Sequence, residues 1–221
     1  MKKEEKNHTI KLFLKFGKEE HIQDLLLNGT IYMNSIQYFR KFEDNGLRGD
    51  NFEGITELKN YPSGEFEIKS LNHKGKYISL QVRESYEEVL GNIYSMYAIS
   101  SLTVPNPIGF KIDKKNKEFG THCLLVKNNP EFLKRIEKRL KEINLKFRHG
   151  LVDYYDKDKK NGKINLFQKP NEFQYQNEFR FYIERESIEP IKIQIGNITD
   201  IAEIHKSEDV IETLTLEFKK K

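Results

Sequence analysis

The chain has no tryptophan, one cysteine, three methionines and six prolines among its 221 residues. A single thiol, Cys123, excludes an internal disulfide and fits a reducing cytoplasm. It sits in Thr121-His-Cys-Leu-Leu-Val126, which reads as a buried strand, so a core thiol is expected there and not a nucleophile. No apolar run approaches the roughly 18 residues of a membrane-spanning helix, so no membrane association is expected. Met1-Lys-Lys-Glu-Glu-Lys-Asn-His8 lacks an apolar segment, so export by a signal peptide is not expected either. The six histidines (8, 21, 73, 122, 149 and 205) are scattered without metal-ligand spacing, which argues against a zinc site. Gly-x-Gly-x-x-Gly, a Walker loop and a Gly-x-Ser-x-Gly elbow are all missing.

What is present describes a charged globular protein. Charged residues are 33% of the chain against 37% apolar, too much of the second for a disordered segment. The length suits one domain, residues 1–221, with a sizeable core rich in Leu, Ile, Phe and Tyr. Lysine and arginine exceed the acidic residues by four, 38 against 34, which permits a nucleic-acid partner without requiring one. The lysines come in short groups at 111–117, 157–160 and 219–221, and solvated loops and ends explain them equally well.

Periodicity predicts an α+β fold: a mixed, mostly antiparallel two-sheet core with a few short helices. Strands are expected over 9–16, 30–33, 66–70, 76–82, 92–103, 120–127, 145–155, 173–184, 191–195 and 213–218. Short helices are expected over 18–27, closed by Asn28-Gly29, over 36–42 behind a Ser35 cap, and within 199–211. A longer helix starts at Asn129-Pro130 and carries Phe132, Leu133, Ile136, Leu140 and Ile143 on one stripe. Pro105 and Pro107 are expected to end the 92–103 strand, and 44–54 is a loop with Gly46, Gly49 and Gly54.

The most informative stretch is Phe173-Gln-Tyr-Gln-Asn-Glu-Phe-Arg-Phe-Tyr-Ile-Glu184. Read as a strand, it places Phe179, Phe181 and Ile183 on one face and Glu178, Arg180, Tyr182 and Glu184 on the other. Gln176 and Glu178 then share a face about 7 Å apart, an amide and a carboxylate side by side as a ligand clamp. The Gln176-Asn177-Glu178 triplet resembles the Q-x-E motif of ADP-ribosyltransferases, which split NAD and attach ADP-ribose to a target. The resemblance implies that Glu178 stabilises an oxocarbenium-like transition state, that Gln176 selects the acceptor, and that NAD is consumed as a substrate without a metal.

The same resemblance implies roles elsewhere. Lys15 stands where these enzymes carry a first-strand Arg or His for NAD, and offers a point charge without a bidentate fork. Tyr94 and Tyr97, in Gly91-Asn-Ile-Tyr-Ser-Met-Tyr-Ala-Ile-Ser-Ser101, take the place of a serine- or tyrosine-bearing middle strand, although the Ser-Thr-Ser signature is absent. Arg40 or Arg48 would clamp the pyrophosphate from the early Gly-rich loop, ordered by Asp50 and Glu53. The bland readings are a strand-edge lysine and ordinary core tyrosines. Taken together, the pattern is similar to RNA-modifying ADP-ribosyltransferase toxins of phage defence. This implies a nucleic-acid acceptor, RNA before DNA or protein, and an antitoxin protein as partner. The alternative is a non-catalytic nucleic-acid- or protein-binding sensor module, in which Gln176, Glu178 and Arg180 form only a polar network. A third reading is a metal-free nuclease using His149 with Asp153.

Overall fold

The structure is a computed structural model and describes residues 9–42, 47–104, 106 and 108–216. The chain opens with β1 (Ile10–Gly17), α1 (Glu19–Asn28), β2 (Thr30–Ser35) and α2 (Ile36–Lys41). A strand-rich segment follows: β3 (Ile55–Tyr61), β4 (Gly64–Ile68), β5 (His73–Tyr77), β6 (Leu80–Ser85) and β7 (Asn92–Ser100). Next come β8 (His122–Val126), α3 (Asn129–Glu142), β9 (Lys146–Leu151), β10 (Asp153–Tyr155), β11 (Gly162–Lys163) and β12 (Gln168–Pro170). The chain closes with β13 (Glu178–Glu184), β14 (Ile191–Gln194), β15 (Ala202–Lys206) and α4 (Ser207–Thr213). The fold is α+β, and among the described residues every strand pairing is antiparallel except that of β10 with β12.

Eight strands make the principal sheet, in the order β14-β2-β7-β1-β8-β15, with β13 and then β9 attached to β7. Both faces are covered. Ile22 and Leu25 of α1 pack with Phe132, Ile136 and Leu140 of α3 into one core, which also holds Phe13, Phe179 and Phe181. Val210 and Ile211 of α4 close the second, over Leu14, Phe16, Ile99 and Cys123. The α3 stripe forms because Phe132, Ile136 and Leu140 recur every fourth residue; all three are fully buried, contributing about 1.5–3 kcal/mol each. Asn128 caps this helix by accepting from the Glu131 N–H at 3.1 Å.

The topology opens a cleft along one edge of β7. On its far edge β7 is paired with β13 without a break from Asn92↔Ile183 to Tyr97↔Glu178. On its near edge β1 pairs only as far as Leu14↔Tyr97, and β2 only at Asn34↔Ile93 and Ser35↔Asn92. Among the described residues no strand pairs with Tyr94, Ser95 and Met96 on that edge. The two neighbours diverge, and the wedge between them is open.

Several expectations need correction. Residues 171–176 form a 3-10 turn, not the start of a strand, because Asn177 closes it in the left-handed region at φ 39°. Phe173 and Tyr175 mimic the two-residue period of a strand without belonging to one. Residues 145–155 split into β9 and β10 at Val152, whose N–H bonds the Glu178 carbonyl. Residues 76–82 split between β5 and β6. Within 199–211 a strand, β15, precedes α4, and Thr213 ends that helix where a strand over 213–218 was expected. Residues 214–216 form no strand; 217–218 lie outside the described residues, as do Met1–His8, Gly46, Pro105, Pro107 and the lysines of 219–221. The 92–103 strand ends at Ser100, whose side-chain oxygen accepts from the N–H groups of Leu102 and Thr103 in a turn.

Candidate active site

Strand β13 is buried on both faces, from Glu178 to Ile183. Phe179, Phe181 and Ile183 enter the main core, as alternation requires. Glu178 and Arg180 project from the other face, beside their cross-strand partners Tyr97 and Ser95 of the neighbouring strand β7. Glu178 is 3% exposed, so its carboxylate needs partners. Oε1 accepts from the Ser95 hydroxyl at 2.5 Å and from Arg180 Nε at 2.6 Å, and Oε2 lies 3.2 Å from Lys169 Nζ. Burial alone would raise its pKa; Arg180 and Lys169 overcome that and hold it well below the usual carboxylate range.

Arg180 is fully buried and forms a second, bidentate pair with Glu53, at 2.6 and 3.0 Å, and donates to the Leu166 carbonyl. Glu53 thereby ties the loop before β3 to the site. The four charges of Glu53, Arg180, Glu178 and Lys169 cancel. Asp50 is also buried; burial and then the neighbouring Glu53 push its pKa up to about 6, against Lys169, the Phe52 N–H and Arg180.

Lys15 replaces the missing strand. Its Nζ donates to the Ser95 carbonyl at 2.6 Å, on the unpaired edge of β7, and lies 4.5 Å from the Tyr94 ring centre. Burial pulls its pKa down to about 8; Glu178 opposes the shift and Arg48 adds to it. The wedge is a cleft of about 610 Å³, within the size range of small-molecule sites. Lys15, Tyr94, Ser95, Tyr97, Arg48, Gln176 and Glu178 all line it, although they are spread over most of the chain.

Tyr94 and Tyr97 lie on opposite faces of β7: Tyr94 in the main core with its hydroxyl buried and unbonded, Tyr97 in the second core. The Tyr97 hydroxyl accepts from Asn177 Nδ2 at 2.8 Å, and burial pushes its pKa up to about 12. Gln176 does not share a strand face with Glu178, since the strand begins at Glu178. Its amide instead donates to the Leu47 carbonyl at 2.9 Å and accepts from Lys169 Nζ at 2.9 Å. Arg40 is apart from the cleft: its guanidinium holds the Tyr86 carbonyl and the Ser85 hydroxyl.

The residue missed by the sequence reading is Lys169. It is 5% exposed and links Gln176 to Glu178. No local pattern marks it; only the short parallel pairing of β12 with β10 brings it in. The nuclease pair does not form: His149 bonds Glu137 of α3 at 3.0 Å and packs on Phe179 and Phe181, while Asp153 is exposed. Cys123 is fully buried, with its thiol pushed up to about 12 by burial, as befits a core residue.

Set against protein-family models, curated proteins and solved structures, the chain matches none.

Proposed function

We propose that this chain is an ADP-ribosyltransferase that splits NAD and transfers ADP-ribose to a nucleic acid, RNA first. The observation that carries the reading is Glu178: a buried carboxylate kept ionised on the wall of a 610 Å³ cleft, with a serine hydroxyl on it. The residues present fit NAD. Lys15 and Arg48 offer cations for its diphosphate, the rings of Tyr94 and Phe16 offer flat walls, and Ser95 offers a hydroxyl beside the carboxylate.

Arg180 and Lys169 hold the Glu178 carboxylate ionised, so its work is electrostatic. As the bond between ribose C1′ and nicotinamide breaks, nicotinamide leaves with the electron pair and positive charge grows on the sugar. A fixed carboxylate favours that charge without reorganising. The acceptor atom then bonds C1′ and gives its proton to solvent. Gln176, held by Leu47 and Lys169, would stand on the acceptor side. An enzyme that modifies nucleic acid in its own cell needs restraint, so an antitoxin protein is the partner this reading calls for, in the cytoplasm and in defence against phage.

The test is nicotinamide release by the purified chain, with labelled ADP-ribose followed onto RNA, single-stranded DNA and protein. Glu178→Gln should lower release about 10²–10³-fold, the usual cost of one transition-state contact. Wild type that releases no nicotinamide overturns the reading. One observation favours a second: both Glu178 oxygens are already held by the chain's own groups, as in a purely structural network of a binding module. That module would bind its ligand and consume no NAD.

A further inference from the structure

Two 3-10 turns from distant parts of the sequence meet at the mouth of the cleft. The first, Lys114–Phe119, carries Phe119 at its end; the second, Asn171–Gln176, carries Tyr175 directly before Gln176. Asn116, 1% exposed, pins them together by donating to the carbonyls of Asp113 and Tyr175, each at 3.0 Å. Their rings lie near-parallel, 26° apart, with centres separated by 6.5 Å. Cations flank both: Lys115 Nζ is 5.1 Å from the Tyr175 ring centre and the Arg48 guanidinium is 5.7 Å from that of Phe119. Phe119, Arg48 and Gln176 line the cleft, so this strip of cation, ring, ring and cation runs into the candidate active site.

The order of groups selects a ligand that is flat and anionic at once. Lys114 and Lys115 are exposed, and among the described residues neither forms an ion pair, whereas Lys117 is neutralised by Glu208 and Glu212. The Asp113 carboxylate caps the turn by accepting from the Lys115 N–H. We infer that the Phe119–Tyr175 strip is a binding subsite for single-stranded nucleic acid. An unpaired base stacks on the rings while Lys114 and Lys115 hold the neighbouring phosphates. An acidic peptide would use the cations and leave the rings idle. A duplex keeps its bases stacked on each other. The subsite stands on its own geometry; only its service to Gln176 as an acceptor site rests on the transferase reading.

The experiment is fluorescence anisotropy of wild-type protein without NAD, using a labelled single-stranded RNA 12-mer, DNA of the same sequence, the matching duplex and an acidic peptide. Phe119→Leu keeps apolar volume but removes the stacking face, and Tyr175→Phe keeps the ring but loses its hydrogen bond to the Leu47 carbonyl. Phe119→Leu and Tyr175→Leu should each weaken single-strand binding about ten- to hundredfold, and Tyr175→Phe should leave it within about twofold of wild type. Lys114→Ala and Lys115→Ala should each reduce the slope of log affinity against log salt by about 0.7. Duplex or peptide bound as tightly as the single strands overturns the subsite, and so does unaltered binding by folded ring variants. Single-strand binding by a chain that releases no nicotinamide supports the subsite and sinks the transferase. Nicotinamide release with label on protein alone, and no oligonucleotide binding, does the reverse.

Discussion

Among the described residues Arg180 is the largest fully buried side chain, and it is charged. Such a group persists only because two carboxylates meet it, and removing one partner of a buried pair generally costs about 3–5 kcal/mol. Glu178→Gln will therefore cost stability as well as activity, and its activity loss must be read beside a melting curve. Ser95→Ala, which leaves every charge in place, isolates the chemistry better. Asp50 makes the sharper prediction. Its pKa is raised from 3.8 to about 6, so between those pH values the folded state holds a proton that the unfolded state has lost. The stability this confers is full below pH 3.8 and is lost as pH rises through about 6. Asp50→Asn keeps the acceptor for the Phe52 N–H and removes the charge, so at pH 7 it should stabilise the fold by about 1–3 kcal/mol. Urea titrations at pH 5 and pH 7.5 check it: the gain should shrink at the lower pH, and a loss at pH 7.5 would show Asp50 to be paired. At this scale Glu178 and Arg180 were legible, because strict alternation puts them on one face. Lys169 was not, since its place depends on a two-strand pairing with no sequence period.

Elements were legible where local chemistry agreed with the fold. The α1 helix ends as Asn28-Gly29 announces, with Gly29 in the left-handed region at φ 63°. Ser35 caps α2 by accepting from the Tyr38 N–H, and α3 shows its apolar stripe. They were illegible where one period imitated another: Phe173 and Tyr175 alternate like a strand but belong to a turn, and β15 hides ahead of α4. Gly29 tests how much the first kind of signal matters. A Cβ there would clash with the Gly196 carbonyl oxygen, which is backbone and cannot swing away. Gly29→Ala should therefore exceed the roughly 1–2 kcal/mol left-handed penalty and loosen the 195–198 segment, whose Ile195 and Ile198 N–H groups bond the Gly29 and Leu26 carbonyls. Chemical denaturation gives the size, and hydrogen exchange at Ile195 and Ile198 gives the place. A loss below 1 kcal/mol would mean the turn relaxes freely.

At the scale of the molecule, the cleft exists because β1 and β2 part company along β7, and Lys15 closes the Ser95 carbonyl that neither β1 nor β2 reaches. The chain order of Lys15, Tyr94 and Glu178 could be read from the sequence. The divergence could not, because it is a property of pairings between residues 57 (Ser35↔Asn92) to 90 (Ile10↔Ser100) positions apart. A ligand in this wedge touches both diverging strands, so its binding stabilises the whole sheet. NAD at a hundredfold over its dissociation constant should add about 2.7 kcal/mol, which is about 5–10 °C in melting temperature for a chain of this length. That shift should depend on pH in one direction. The Lys15 pKa, about 8, means that its ammonium is charged at pH 7 and mostly neutral at pH 9. If Lys15 meets the diphosphate of NAD, its shift falls as pH rises from 7 to 9, and binding takes up protons near pH 8. Lys15→Met should show a smaller shift at pH 7 and no decline by pH 9. Lys15→Arg, charged throughout, should remove the decline. ADP-ribose, which keeps the diphosphate, should follow the same curve as NAD, whereas nicotinamide alone should be flat. A wild-type NAD shift independent of pH would take Lys15 out of the binding site while leaving Glu178 in it.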